Sequence, residues 1–428
     1  MSSLLDTLSC ANDYDPNSLP VERARQLILS LVAPPGGRER TFVRQALGRV
    51  LAADVIASVD VPAHDNSAMD GYAVRHADLS ASGETTLKIV GTAFAGHPFS
   101  ATLGAGEAIR IMTGAIIPRG ADAVVIQEVV RRDGDVVAIP SGQRAGQNIR
   151  RAGEDLRAGE PALTAGKLLR PSEIGLLASL GQAEVTLHRR LRVAVFSTGD
   201  ELNSVGSILQ PGEVYDSNRY SLWGMLTRLG CEVLDMGVLR DDPAALEAAL
   251  IEAAANADAI VTSGGVSVGE ADFVRELMAK LGEVAFWKIA MKPGRPMAFG
   301  RIANAGRIEN GTWLFGLPGN PVAVMVAFYQ FVRPALLKMM GVAPHLLELP
   351  TLPVICGAPL KKMPGRTEFQ RGMLYQENGE WRVRPTGAQG SGILRSMADA
   401  NCLIVIELDR GNVAVGETVH VQLMDGFV

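Results

Sequence analysis

Three polar, glycine-bearing loops hold many of the residues in this 428-residue chain that could do chemistry. They are Ser197–Glu201, Ser263–Asp272 and Gly316–Pro321. Glycines let the backbone approach a phosphate closely, and backbone N–H groups at helix N-termini bind phosphates directly. Each loop taken alone is better explained by turn formation and helix capping. Taken together, the loops predict a site for a phosphate-bearing ligand.

Carboxylates accompany these loops at Glu201, Asp241 and Asp272. Carboxylates beside a phosphate commonly hold Mg²⁺, which bridges carboxylate and phosphate oxygens. Two of the three have simpler explanations as well: Asp241 adjoins a helix cap, and Glu201 would complement a helix dipole. We nevertheless expect Mg²⁺ as a cofactor, with Glu201, Asp241 and Asp272 as its candidate ligands.

Positive charge that would complement an anion occurs in two further segments. Lys288, Lys292 and Arg295 fall within Trp287–Pro296, where Pro293 and Gly294 indicate a shaped loop. Towards the C-terminus, Arg371 and Ser391 form another pair of anion-binding types. The sequence has no Gly-x-x-x-x-Gly-Lys-Ser/Thr motif and no strand followed by Gly-x-Gly-x-x-Gly. Neither an ordinary P-loop nor a dinucleotide-binding fingerprint is therefore predicted.

The stretch Pro62–Ala73 is a separate concentration of polar groups. It combines two carboxylates (Asp65 and Asp70) with an amide, a hydroxyl and a glycine. It is too polar for a core strand and too rich in turn formers for a helix. Binding residues often lie on exposed loops of this kind, although a solvated turn would explain it equally well.

The elements around this stretch predict a β-rich insertion into a helical domain. Apolar spacing predicts a helix over 21–31, ended by Pro34–Gly37, and a second short helix around 43–51. Short strands are expected at 86–90, 107–112, 123–130 and 136–139, with a hairpin turn at Asp133-Gly134. A helix is predicted from Pro171 to Gly181. We expect it to pack against the N-terminal helix, on the far side of the insertion.

From Arg192 the pattern alternates between strands and helices. Strands are expected at 193–197, 232–236 and 259–262. Helices are expected from a Ser217-Asn218 cap to Gly230, after Asp242-Pro243, and from Asn320-Pro321 to about 340. Repeated β-α-β units predict a doubly wound parallel sheet with helices on both faces, and ligands bind at the carboxyl ends of such strands. From about Leu349 the chain returns to strands, which predicts a separate β domain.

Composition excludes several classes of function. The net charge of −5 argues against nucleic-acid binding, which requires a clustered positive face. None of the four cysteines forms a Cys-x-x-Cys pair, so neither a zinc site nor a redox dithiol is predicted. The first residues lack a basic signal-peptide region, and no apolar run is long enough to cross a bilayer. A cytoplasmic protein without membrane partners is expected.

In these motifs the chain resembles the molybdopterin molybdenumtransferase (MoeA) family, which is related to the C-terminal domain of gephyrin. The resemblance extends from about Pro20 to the C-terminus. It is carried, in order, by Asp65–Ala73, Met112–Gly114, Gly153–Asp155, Ser197–Glu201, Ser263–Asp272, Lys292–Gly294, Gly316–Pro321 and Phe369–Gly372. A polar stretch at 303–311 departs from the family pattern and is expected to be a lengthened hairpin.

The resemblance implies an elongated, L-shaped α/β subunit of four domains that forms a homodimer. The expected domains are 18–58 with 151–190 (helical and discontinuous), 59–150 (inserted, β-rich), 191–342 (α/β, molybdopterin-binding) and 347–428 (C-terminal, β). The implied activity is insertion of molybdate into adenylylated molybdopterin with release of AMP. The cleft is expected between the third domain of one subunit and the second domain of its partner. The upstream adenylyltransferase and the molybdoenzymes that receive the cofactor are further expected partners.

The resemblance also implies site residues at Asp70, Thr113, Glu201, Asp241, Asp272, Lys288, Lys292, Pro318, Pro321, Arg371 and Ser391, with Asp155 as a further candidate. Our hypothesis gives phosphate or pterin binding to Thr198, Ser263, Gly264, Gly265 and Ser267. It assigns molybdate binding to Lys288, Lys292, Arg371 and Ser391, and Mg²⁺ binding or orientation of a water to the three loop carboxylates. Asp70 and Thr113 would complete the cleft from the partner subunit.

Two alternative functions remain open. The related adenylylation of molybdopterin would use similar loops of the third domain, but it would not need the β-rich and C-terminal domains. A gephyrin-like scaffold without turnover would keep the fold, but it would not need the full set of loop carboxylates.

Overall fold

A computed structural model describes residues 18–264 and 272–424. The N-terminal helix α1 (Val21–Leu31) confirms the spacing-based prediction, since it buries Val21, Ala24, Leu27 and Ile28. The predicted helix at 43–51 is wrong beyond one 3-10 turn, Val43–Gln45. The chain instead passes Gly48, whose φ is +71°, and continues through β-bridges from Val50 to Leu168 and from Leu51 to Leu187. Tertiary pairing of these apolar residues outweighs their local helical pattern.

Strands β1 (Arg38–Phe42) and β2 (Val55–Ile56) lead to an inserted sheet. The elements of the insertion are β3 (Asn66–Ser67), β4 (Gly71–Val74), β5 (Glu84–Ala93), β6 (Glu107–Ile111), β7 (Ala123–Ile126), β8 (Arg131–Asp133), β9 (Val136–Pro140) and β10 (Ile149–Arg150). Six of these strands form a sheet in the order β7-β4-β6-β5-β9-β8. The predicted hairpin is confirmed, because Asp133 pairs with Val136 across the turn. The predicted strand 123–130 is interrupted by a 3-10 turn at Gln127–Val129.

The chain leaves the insertion alongside the segment by which it entered. After β10 come β11 (Pro161–Leu163), helix α2 (Pro171–Ser179) and β12 (Glu184–His188). Strand β10 pairs with β3, β11 with β2, and β12 with β1, all antiparallel.

The expected packing of α1 against α2 is wrong. Helix α2 contributes Leu177 to a small core with Val43, Leu51 and Val185. Helix α1 belongs to a different and much larger core, in which it packs against the helix at 321–339. That long apolar helix offers Ala24 and Ile28 a larger buried surface than the nine-residue α2 does.

The third part of the chain forms the doubly wound sheet. Its elements are β13 (Arg192–Thr198), β14 (Leu202–Asn203), β15 (Val214–Tyr215), α3 (Ser217–Arg228), β16 (Glu232–Leu239), α4 (Pro243–Asn256), β17 (Ala259–Ser263), α5 (Asp272–Leu281), β18 (Gly282–Lys288), β19 (Met291–Lys292), β20 (Pro296–Asn304) and β21 (Arg307–Leu317). The strand order is β16-β13-β17-β21-β20-β18. The first four strands are parallel, and β20 runs antiparallel to both of its neighbours, β21 and β18. Alternate residues of β13 enter two cores on opposite faces, Val193 and Val195 on one face, Ala194 and Phe196 on the other. The predicted hairpin at 303–311 is confirmed as the β20–β21 connection.

A continuous helix follows, made of α6 (Pro321–Ala327), a π-turn at Phe328–Val332 and α7 (Arg333–Met339). It is long and apolar enough to cross a membrane, yet 78% of its most apolar stretch is buried within the protein. A core helix has this combination of length, composition and burial.

The C-terminal part is a closed β-barrel. It contains β22 (Thr351–Cys356), β23 (Thr367–Glu377), β24 (Glu380–Pro385), the short helix α8 (Arg395–Ala398), β25 (Cys402–Ile406) and β26 (Thr418–Leu423). Pairing runs β23-β24-β22-β26-β25, and β25 pairs back onto β23. Strand β19 adds itself in parallel to the start of β23 and so connects the barrel to the α/β part.

Candidate active site

A cavity of about 960 Å³ opens at the carboxyl ends of β13, β17 and β21. Its wall continues from these loops to the barrel, which contributes Arg366 and the segment 389–391. Eight of the predicted site residues line it: Thr198, Glu201, Asp241, Ser263, Gly264, Lys292, Pro318 and Ser391. Three loops distant in sequence thus share one space, because parallel strands end at the same edge of the sheet.

The N-terminus of α3 holds two of these loops together. The helix is capped by Asp216, whose carboxylate accepts from the backbone N–H of Arg219 at 3.1 Å, and not by the predicted Ser217-Asn218 pair. Asn218 is thereby free to donate from Nδ2 to Ser263 Oγ at 2.8 Å and to the carbonyl oxygen of Gly319 at 2.6 Å. One amide therefore ties the end of β17 to the loop that starts α6.

Gly264 allows the closest approach between the loops. Its φ is +90°, and a Cβ at this position would lie 2.4 Å from the carbonyl oxygen of Thr198. Any side chain there would push the loops after β13 and β17 apart. The glycine is required by this contact and by its left-handed backbone.

Carboxylates line one side of the cavity at Glu201 and Asp241, both exposed. Asp200 fastens their loops, since its Oδ1 accepts from the backbone N–H of Asp241 at 3.3 Å and its carbonyl accepts from Arg240 at 2.6 Å. Asp272 begins α5, but its side chain lies outside the described residues, as do Gly265 and Ser267 entirely. Within the described part of the chain, no three His, Cys, Asp or Glu side chains gather as a metal-binding group. The predicted three-carboxylate Mg²⁺ site therefore stays a prediction.

The cations of the cavity differ from those expected. Lys292 lines it, but its Nζ lies 2.6 Å from Glu368 Oε1, so part of its charge is already compensated. Arg295 and Arg366 also line the cavity. Arg366 is exposed and makes no hydrogen bond or ion pair with any residue that the structure describes. Lys288 lies half-buried at the end of β18, outside the cavity lining.

Arg371 lies inside the barrel, 1% exposed. Its Nε donates to Ser396 Oγ at 2.9 Å, and its Nη2 donates to the carbonyl oxygen of Gly390 at 2.9 Å. Burial lowers the pKa of this guanidinium. This placement argues against the predicted direct contact between Arg371 and molybdate, because the side chain is enclosed by protein. Arg371 instead positions the segment 389–391, which lines the cavity.

The same segment also reaches the helix after β21. Ser391 lines the cavity with its neighbours and accepts, through its carbonyl oxygen, from the backbone N–H of Val322 at 3.0 Å. Pro321 is the first residue of α6 and does not line the cavity, whereas Pro318 does. The barrel and the α/β sheet therefore form this wall together.

Asp70 and Thr113 lie in the inserted sheet and do not line the cavity. They sit at the ends of neighbouring strands β4 and β6, which pair through Gly71 and Ile111. Both the backbone N–H and the hydroxyl of Thr113 donate to Asp70 Oδ1 at 2.7 Å. These hydrogen bonds lower the pKa of Asp70 below its ordinary value. Asp155 is exposed on the segment that returns from the insertion.

Asp65 fastens the base of the insertion. Its carboxylate contacts Arg151 Nη1 at 2.6 Å and the backbone N–H of Ala152 at 2.8 Å. These interactions lower the pKa of Asp65. Within one subunit, this part of the polar stretch has a structural role.

Three cavity residues were missed as candidates by sequence reasoning. Asn218 was interpreted only as a helix cap, and Arg366 and Gln389 were not singled out. Arg366 did carry a signal, since a cation directly after Pro364-Gly365 lies on a turn. Nothing local distinguishes Gln389, because its place in the cavity depends on barrel closure.

Family models match three successive parts of the chain. They are the MoeA N-terminal region (domain I and II) over residues 19–181, a probable molybdopterin binding domain over 194–338, and the MoeA C-terminal region (domain IV) over 353–424. The cavity lies mainly within the second match, and the third match supplies its far wall.

Curated relatives and a solved structure extend over almost the whole chain. A molybdopterin molybdenumtransferase of Haemophilus influenzae is 46% identical, covering 94% of this chain and 98% of that protein. One from Nostoc is 37% identical over 88% of this chain and 86% of that protein. The crystal structure of a molybdopterin biosynthesis MoeA protein from Pyrococcus horikoshii matches with a TM-score of 0.81 at 30% identity, covering 95% of this chain and all of that one.

Proposed function

Because the chain belongs to the molybdopterin molybdenumtransferase family, an enzyme family of molybdenum cofactor biosynthesis, we propose that it inserts molybdate into adenylylated molybdopterin and releases AMP. One observation carries this proposal: a single cavity offers polar loops at helix N-termini, two carboxylates and arginine side chains. A substrate that carries phosphates and meets a second oxyanion requires these three kinds of group. The cavity volume of about 960 Å³ is in the range that holds an extended ligand.

The proposed phosphate contacts lie at the sheet edge. Thr198, Ser263 and Gly264 line the cavity at the ends of β13 and β17, and we assign the phosphate oxygens of the substrate to this edge of the sheet. The predicted contributions of Gly265 and Ser267 to the same contacts remain part of the proposal.

The donor set of the cavity fits Mg²⁺. This ion usually takes one or two protein carboxylates and fills its remaining positions with water and substrate phosphate oxygens. Glu201 and Asp241 supply such a pair on one wall, and we propose Asp272 as a further ligand. When bound, the ion would neutralise charge on the phosphates of the substrate.

Molybdate is a doubly charged oxyanion and requires cationic side chains in the cavity. We assign its capture to Arg366 and Arg295, with Lys292 and Ser391 on the same wall. Charge-assisted hydrogen bonds from a guanidinium to an oxyanion are stronger than neutral ones. Arg371 acts indirectly, by holding the segment that carries Ser391. Lys288 remains a candidate only for contact with a larger ligand or with the partner.

We further propose a homodimer in which Asp70 and Thr113 of one subunit reach the cavity of the other. In a single subunit these residues do not line the cavity, although Asp70 is held as a charged carboxylate at a strand end. A cavity that requires the partner's inserted sheet would explain why the family's site positions fall in two separate parts of the chain.

The test is turnover with defined substrates. The purified protein is mixed with adenylylated molybdopterin, Mg²⁺ and molybdate, and AMP and active molybdenum cofactor are both measured. We expect AMP release to require molybdate and to match the cofactor formed. Nucleotide binding without turnover would favour the scaffold alternative. Formation of adenylylated molybdopterin from ATP and molybdopterin would favour the adenylyltransferase alternative.

A further inference from the structure

Two residues that line the cavity each have a buried side-chain oxygen that accepts no hydrogen bond from any residue that the structure describes. The two oxygens are Thr198 Oγ1 and Asn218 Oδ1, and each residue is only 8% exposed. Buried polar atoms in folded proteins almost always have a partner, because leaving one unpaired costs free energy. Because both residues line one cavity, a ligand bound there can supply the missing partner.

The hydrogen bonds of Asn218 determine which way its amide faces. The carbonyl oxygen of Gly319 can only accept, so the group 2.6 Å from it must be the amide nitrogen. Nδ2 also donates to Ser263 Oγ, which leaves Oδ1 as a pure acceptor. The cap at Asp216 holds this end of α3 in place. An oxyanion at Oδ1 would be repelled, whereas an N–H group would be bound.

We propose that Thr198 and Asn218 form an acceptor pair that recognises an N–H edge of a fused-ring heterocycle. The hydroxyl of Thr198 can accept from the same edge, beside Gly264, where a Cβ would lie 3.0 Å from Thr198 Oγ1. The identity of the ligand rests on the proposed function, since both the pterin and the adenine of adenylylated molybdopterin carry N–H donors. The pair gives this cavity a selectivity for ring edges that its phosphate and oxyanion contacts cannot provide.

Thr198→Val is the decisive variant, because valine has the same shape and Thr198 Oγ1 has no hydrogen bond to lose among the described residues. A purely structural hydroxyl predicts unchanged or higher thermal stability and unchanged ligand affinity. Our proposal predicts unchanged or higher stability together with weaker binding. Thr262→Val, one strand over and outside the cavity lining, is the matched control and should alter neither property.

The contact itself is tested by pairing protein variants with ligand variants in calorimetric titrations. The probes are AMP against N6,N6-dimethyl-AMP, and 6-hydroxymethylpterin against its N3-methyl analogue. For one of the two compounds, the methylated analogue should bind the wild-type protein about tenfold more weakly than the parent compound. The same methylation should weaken binding to Thr198→Val and Asn218→Ala less than about threefold. The pair that behaves in this way identifies the ring as adenine or pterin.

Three results would overturn the inference. Methylation of both compounds could weaken binding equally in wild type and variants, or methylation of neither compound could weaken binding at all. The third is that neither parent compound binds at millimolar concentration. Turnover separates this failure from that of the proposed function. If AMP release depends on molybdate but methylation affects wild type and variants equally, the acceptor pair is wrong and the transferase function stands. If methylation affects wild type more than the variants but no turnover occurs, the acceptor pair stands and the transferase function is wrong.

Discussion

Asp70 Oδ1 accepts two hydrogen bonds from Thr113, one from its backbone N–H and one from its hydroxyl, both at 2.7 Å. The backbone hydrogen bond is the larger cause of the lowered pKa of Asp70, and the hydroxyl is the next. We predict that Thr113→Val raises the pKa of Asp70 towards its ordinary value, whereas Thr113→Ser keeps it low. Carboxyl NMR titration of the two variants measures this difference. Equal Asp70 titrations in both variants would show that the hydroxyl contributes nothing.

A shared site predicts complementation between subunits. Asp70→Ala and Asp241→Ala should each abolish turnover alone, but a mixed dimer would keep one site in which both residues are intact. Random exchange of equal amounts makes half of the dimers mixed, so about a quarter of wild-type activity should return. The measurement is AMP release after co-refolding or co-expression. A mixture of Asp241→Ala with Glu201→Ala, two cavity carboxylates of the same subunit that should each be required for turnover, is the control and should stay inactive. Recovery no greater than this control would place each site within one subunit.

Substitutions of Arg366 and Arg371 should have different effects, on molybdate binding and on stability respectively, although the two residues are only five positions apart. Arg366→Ala should raise the KM for molybdate about 10- to 100-fold through loss of a charge-assisted contact, and should leave stability within about 0.5 kcal/mol of wild type. Arg395→Ala, an exposed arginine outside the cavity, is the matched control and should change neither. Molybdate titration of AMP release is the readout. An unchanged KM for molybdate in Arg366→Ala would contradict this role and would leave Arg295 and Lys292 as the residues that bind molybdate.

Arg371→Ala should instead destabilise the barrel. It removes the donor from Ser396 Oγ and from the carbonyl oxygen of Gly390, so we expect a loss of about 3–5 kcal/mol in the free energy of unfolding. Denaturant unfolding measures it. Arg371→Lys keeps the charge but not the two-point geometry, and it should recover only part of the loss. Full stability of Arg371→Ala would disprove the positioning role.

Glu173 should make the fold sensitive to acid. Hydrogen bonds from the Arg170 side chain, with further ones from its backbone and from Ser172, hold the pKa of Glu173 at about 2, below the ordinary 4.5. Its contribution to stability is complete above pH 4.5 and is lost as the pH falls towards 2. The difference in unfolding free energy between wild type and Glu173→Gln should therefore shrink by about 2 kcal/mol over that interval. Urea unfolding at several pH values tests this, with the exposed Glu160→Gln as control. A difference independent of pH would refute it.

Elements with a strong local pattern were predictable from the sequence. Helix α1 follows from its apolar spacing, α4 from Asp242-Pro243, and the β8–β9 turn from Asp133-Gly134. The parallel sheet follows from the alternation of strands and helices, and this topology brings the three loops to one edge. The failures occurred where distant partners decide the outcome. Val50 and Leu51 have a helical pattern but form bridges to Leu168 and Leu187.

The site was predictable in its location and less so in its residues. Polar loops at strand ends indicate where a ligand binds, because topology alone brings them together. Which cation faces the ligand depends on packing that the sequence does not display. Arg371 belongs to a strong motif yet is enclosed by the barrel, while Arg366, just before the same strand, lines the cavity. The role of Asn218 depends on the partners of its side-chain amide, Ser263 and Gly319, which are distant in sequence.

The pairing of β3 with β10 means that the inserted sheet could be deleted without separating the two ends of the chain that it joins. Asn66 lies directly opposite Arg150, so the two connections enter and leave at adjacent strand positions. Paired Cα atoms in antiparallel strands are about 5 Å apart, a gap that a two-residue turn closes. A shortened chain with such a turn in place of residues 67–149 keeps every strand of the α/β sheet and the barrel. The geometry of this junction would also have allowed an ancestral gene to acquire the sheet in one step without disturbing the part that binds the ligand.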